Sequence, residues 1–143
     1  MSLYTRIIKH EGSVKDPKTG MHIPYQDSKG FWTIGYGTLI DSRRGGGLYD
    51  EEAAYILRNR IGLGFHEANE NFYWFRKLST NRQEVIVEML FNLGLKGLKG
   101  FKRMISAIKV EDWEDAAKEM LDSKWADDVG VRANELAEIM RTG

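Results

Sequence analysis

The sequence has no cysteine, so disulfides, zinc–thiolate centres and a thiol nucleophile are excluded, and the redox compartment is left open. Neither sign of charge is in excess, because 21 lysines and arginines balance 21 aspartates and glutamates. That balance argues against a nucleic-acid partner, which normally meets a strong basic surplus. No apolar run is long enough to span a bilayer, so no integral membrane segment is expected. Residues 1–11 carry Arg6, Lys9, His10 and Glu11 at helical spacing instead of the basic–apolar–small pattern of a signal peptide, which predicts synthesis and retention in a cytoplasm. His10, His22 and His66 lie far apart, without metal-ligand spacing. There is no Gly-x-Ser-x-Gly elbow, no internal repeat and no low-complexity segment.

What is present is an ordinary globular composition. The 143 residues are 42% hydrophobic and 29% charged, enough for one domain with a real core or two small lobes. The most informative stretch is residues 23–40. Asp27-Ser28-Lys29-Gly30 reads as a tight turn, since Asp bonds its own backbone and Gly takes positive φ. Strand-like runs, His22–Gln26 and Phe31–Ile34, flank it, and Gly35 and Gly37 break the second. Asp27 therefore sits at a hairpin tip with Thr33 returning near it. Upstream, the amphipathic segment Leu3–His10 ends in Glu11-Gly12, a carboxylate at a helix end followed by a glycine stop. Two carboxylates on separate rigid elements, one beside a hydroxyl, suit glycoside hydrolysis.

Glu11 and Gly12, followed by Tyr25, Asp27, Gly30, Thr33, Ile34, Gly35 and Gly37, resemble the pattern of the phage-type lysozymes, the muramidases of T-even phage and many phage endolysins. The agreement extends over thirteen consecutive positions from Tyr25 to Gly37. The resemblance implies Glu11 as general acid, Asp27 and Thr33 as holders of the attacking water, and inversion at the anomeric carbon. Inversion would set the two carboxyl groups about 6.5–9.5 Å apart. It also implies Leu39, Phe91 and Gly37 as substrate contacts, and Arg132 as a cation near the catalytic glutamate. Two further family contact positions fall on Met104 and Glu119, and Thr38 stands where the best-known member has histidine. The substrate implied is peptidoglycan, cut without a cofactor by a monomer that acts on the bacterial wall after release from the cytoplasm. Partial burial of Glu11 would help it hold the proton a general acid must deliver.

Along the rest of the chain, residues 2–11 predict a helix and 12–22 a loop around Pro17. Fifteen residues separate Glu11 from Asp27, more than in the best-known members, and the surplus falls in this loop. Arg43-Arg44-Gly45-Gly46-Gly47 reads as a flexible linker, because no Gly-Lys-Ser/Thr follows to make a phosphate cradle. Asp50-Glu51-Glu52 opens a long helix over 50–71, with Gly62 and Gly64 as potential bends. Phe72-Tyr73-Trp74-Phe75 predicts a core anchor in preference to a sugar platform. Asn81 with Glu84 predicts a capped helix over 82–93, with Val85, Ile86, Met89, Leu90 and Leu93 as its apolar face. Shorter helices follow near 101–108, 112–124 and 130–140. Lys96, Lys99, Lys102 and Arg103 read as a solvated face before a basic rim. The expected class is α+β, mainly helical: a β-hairpin lobe at 12–49, a connecting helix at 50–71 and a helical lobe at 72–143, with helix 2–11 packed on the last.

Two other functions fit parts of this pattern. A lytic transglycosylase needs one glutamate and no activated water. A non-catalytic module of a phage particle grips glycan without cleaving it, and has no use for all three of Glu11, Asp27 and Thr33.

Overall fold

Asp27 reverses the chain as its residue type requires in the computed structural model, which describes residues 1–143. The Lys29 and Phe31 N–H groups both donate to its Oδ1 at 2.9 Å, and the Asp27 N–H donates to the Phe31 carbonyl. The strands on either side are β1 (Tyr25–Gln26) and β2 (Trp32–Ile34), antiparallel, with Tyr25 opposite Thr33. A third strand, β3 (Thr38–Leu39), pairs with β2 so that Thr33 faces Leu39. Gly35 and Gly37 therefore do more than end β2: both hold positive φ and form the tight turn into β3. The first strand is shorter than expected. Pro24 lacks the N–H a ladder needs, so His22 keeps only an isolated bridge to Lys15.

Helix α1 (Leu3–Glu11) is capped by Ser2, whose side chain accepts from the Thr5 N–H, and ends at Gly12. Helix α2 (Asp50–Asn71) has the expected bounds and an acidic first turn. It runs unbroken through Gly62 and Gly64. The glycine at 64 makes room for a neighbour, since a Cβ there would sit 3.0 Å from the Val87 side chain.

The remaining helices are α3 (Thr80–Lys99), α4 (Lys102–Lys109), α5 (Trp113–Leu121), α6 (Lys124–Val129) and α7 (Val131–Thr142). Helix α3 starts earlier than the sequence suggested because Ser79, not Asn81, is its cap, accepting from the Arg82 N–H. It also continues past residue 93, through a kink at Gly94 where φ is +74°. The helix expected at 112–124 stops at Leu121, and Ser123 caps the separate α6.

The chain divides into two compact units, Met1–Ala54 and Tyr55–Gly143. The core of the second is built from α3, α4, α5 and α7, with α5 packed on α4 and α7. Val85, Ile86, Met89 and Leu90 are buried as their spacing predicts, while Leu93 is only partly covered. The aromatic run behaves as an anchor: Phe72, Trp74 and Phe75 are buried and Tyr73 is exposed. Arg82 closes this core at its edge by donating to the Met140 carbonyl at 2.8 Å and stacking on Trp113 at 3.7 Å.

Candidate active site

Glu11, Asp27, Thr33, Leu39 and Gly37 line one cleft of about 490 Å³ within the first unit, together with Tyr25, Phe31 and Arg44. Each side chain is placed by a local cause. Glu11 is the last residue of α1, and it is exposed where partial burial was expected. Its carboxylate lies against the bare face of Gly37. A Cβ on that glycine would sit 2.8 Å from Glu11 Oε2 and 2.9 Å from its Cδ. Gly37 also holds φ +86°, a conformation L side chains rarely adopt. The glycine thus seats the acid as well as lining the cleft.

Asp27 is half-buried. Its Oδ1 takes both turn N–H bonds, which leaves Oδ2 with no partner in the protein. The Phe31 N–H holds its carboxyl below the usual carboxylate range, with help from the Lys29 N–H and the charges of Arg44 and Lys29, against an opposing effect of burial. Asp27 is therefore an anion with one fixed oxygen and one free one. Thr33 is buried, and its hydroxyl donates to the Phe31 carbonyl at 3.2 Å. The donor is thereby spent, and the oxygen remains an acceptor.

Phe91 and Arg132 belong to the second unit, where they share a pocket of about 410 Å³ with Glu88, Leu57, Ile61 and Phe65. Phe91 is exposed. The carboxylate that Arg132 engages there is Glu88, at 3.0 Å. Met104 is fully buried in the core of that unit, beneath the depression that Glu119 lines. Glu119 lines a larger depression of about 840 Å³ with Lys102, Arg103, Lys124 and Trp125. Lys102 and Arg103 face Glu119, Asp122 and Asp128 there, so they do not form a purely basic rim.

One cluster next to the cleft escaped the sequence reading. The stretch 43–47 is not a loose linker. Asp41 is buried and caps a 3₁₀ turn, Ser42–Arg44, by accepting from the Arg43 N–H. The same carboxylate accepts from the Trp32 N–H at 3.1 Å and pairs with the Arg43 guanidinium at 2.6 Å. Arg43, then the Trp32 N–H, hold Asp41 far below the ordinary carboxylate range. The chain then closes on itself, with Gly46 N–H donating to the Asp41 carbonyl and Gly47 N–H to the Leu39 carbonyl. Gly46 is required for that closure, because a Cβ would meet the Asp41 nitrogen at 2.7 Å. An Asp two residues before an Arg, ahead of a glycine run, was the available signal.

A family model for phage lysozyme matches residues 19–139. The chain belongs to the phage lysozyme family. The matched segment holds Asp27, Thr33, Leu39, Phe91 and Arg132, and Glu11 lies upstream of it. Among relatives, the chain is similar to probable T4-type lysozyme 1 of Dictyostelium discoideum, 23% identical over 83% of this chain and 85% of that protein. Probable T4-type lysozyme 2 of the same organism is 24% identical with the same coverage. A 69-residue stretch, 48% of the chain, is 32% identical to 12% of the pre-baseplate central spike protein Gp5 of Enterobacteria phage T4. Membership of this family carries a lysozyme-like function. The α+β, mainly helical class expected from the sequence is the one observed, and no helix is long and apolar enough to cross a membrane.

Proposed function

We propose that this lysozyme-family chain is a bacteriolytic muramidase that hydrolyses the β-1,4 bond between N-acetylmuramic acid and N-acetylglucosamine in peptidoglycan, with inversion. Glu11 delivers its proton to the leaving glycosidic oxygen. The free Oδ2 of Asp27 and the acceptor oxygen of Thr33 hold a water on the opposite side of the sugar. As that water attacks the anomeric carbon, its proton passes to Asp27, and the product carries the opposite anomeric configuration. No cofactor enters the reaction. Leu39 and Gly37 contact the sugar in the cleft; the family resemblance also assigns substrate contact to Phe91 and Arg132. The protein works as a monomer on the wall, after leaving the cytoplasm in which it is made.

The observation that carries this reading is the state of Asp27: an anion pinned through one oxygen, with the other open to a cleft it shares with Glu11 and Thr33. The test is clearing of a suspension of outer-membrane-permeabilised bacteria by wild type, Glu11→Gln and Asp27→Asn. Each variant is expected to lose roughly 10²–10⁴ in rate, and NMR of the first product is expected to show the inverted anomer. An Asp27→Asn variant that keeps most activity and releases anhydro-sugars identifies a transglycosylase instead. Wild-type protein that binds wall and never clears it identifies a binding module.

A further inference from the structure

Arg43 and Arg44 are adjacent and chemically divided. Arg43 is consumed by the fold: its Nε and Nη2 donate to both oxygens of Asp41, and Nη2 also donates to the Gly30 carbonyl at 3.1 Å. The Arg44 guanidinium makes no hydrogen bond and no ion pair in the protein, although it lines the same cleft as Asp27 and Glu11. It is nonetheless held in place. Its guanidinium carbon lies 5.0 Å from the centre of the Phe31 ring, and that of Arg43 lies 5.2 Å from it. The same Phe31 is tied to Asp27 by two hydrogen bonds, one in each direction. Ring, acid and cation therefore form one unit, braced by Asp41. Lys29, the other cation of the cleft, is a point charge on a long stem at an exposed turn, with no planar fork to offer.

We propose that Arg44 is a specificity-determining residue, a pre-oriented guanidinium that accepts a carboxylate carried by the peptide arm of the muramoyl sugar bound on the Asp27 side. The contact with Phe31 restrains the guanidinium beside the cleft, so less freedom is lost when a carboxylate docks on it. Five N–H donors with no internal acceptor match a planar anion better than a neutral acetamido group. Asp27, the anion of the cleft, repels an anionic arm, and Arg44 offsets that charge on the same side. This assignment rests on the muramidase reading above.

The test compares two substrates: purified cell wall, and the same wall with its peptide carboxylates converted to amides by carbodiimide and a small amine. Rates of reducing-end release are measured for wild type, Arg44→Gln and Arg44→Lys. Amidation is expected to slow wild type about tenfold. Arg44→Gln is expected to cut both walls at one common, reduced rate, and Arg44→Lys to show a smaller ratio between walls than wild type. Arg44→Gln as sensitive to amidation as wild type, or a wild type indifferent to amidation, overturns the assignment. If Arg44→Gln lacks the wild-type circular dichroism spectrum, Arg44→Lys decides, and an undiminished ratio overturns it. Wild type that leaves the unmodified wall intact sinks the muramidase reading, and the role of Arg44 with it.

Discussion

At the scale of single residues, the site is a problem of keeping one carboxylate charged and another seated. Asp27 is held below its ordinary value chiefly by the Phe31 N–H. In the proposed mechanism Asp27 is the base and must be ionised to take a proton, so the acid limb of kcat/KM is expected below about pH 4, the unperturbed range for Asp. Arg44→Gln should move that limb upward, toward the ordinary value, because one of the charges favouring the anion is gone. A pH–rate profile of each protein reads the shift. Gly37→Ala tests the seat of Glu11. Positive φ at a non-glycine residue costs about 1–2 kcal/mol, and the new Cβ would overlap the Glu11 carboxylate. That carboxylate ends a flexible side chain, so Glu11 should swing away while the fold survives. The expected outcome is a large loss of clearing activity with a Tm lowered by only a few degrees, measured on the same preparation.

Among elements, caps and glycines separate what the sequence revealed from what it hid. Ser79→Ala should cost about 1 kcal/mol in urea unfolding, because the Arg82 N–H loses its acceptor. In α2, Gly62 faces open space, and Gly62→Ala should stabilise by up to about 1 kcal/mol through helix propensity. Gly64→Ala should gain less or lose, since its Cβ presses on Val87. The hairpin around Asp27, the bounds of α2 and the buried face of α3 were legible because turn chemistry and apolar period are local signals. The cap of α3 was misplaced because two candidate residues stand two positions apart, and tertiary context picks one: Asn81 donates to the Gly143 carbonyl instead. The Asp41 cluster was illegible for a different reason. A glycine triplet reads as freedom until a buried carboxylate nine residues from Trp32 ties the loop to the sheet. Its contribution to stability has a definite sign. Asp41 is depressed in the folded state, so its contribution is complete above about pH 4 and drains away as pH falls through the lowered value. Asp41→Asn should therefore flatten the acid side of a Tm–pH curve and lower its plateau.

For the whole molecule, the even balance of charge bears on how the proposed wall substrate would be met. A protein drawn by net charge loses rate steeply as salt screens it. Here the attraction is confined to a few groups, so clearing rates should change by no more than about threefold between about 0.02 and 0.15 M salt. The second unit offers another measurement. Met89, Met104, Met120 and Met140 have no exposed surface, while Met1 and Met21 are exposed in the first unit. Thioethers oxidise on contact with peroxide, and a buried one must wait for the structure around it to open. Mass spectrometry of a peroxide time course should show two fast sulfoxides followed by four slow ones. The exposed pair then serves as an internal clock for the reagent, and the lag of the other four reports how often the helical core breathes, with no label added to the protein.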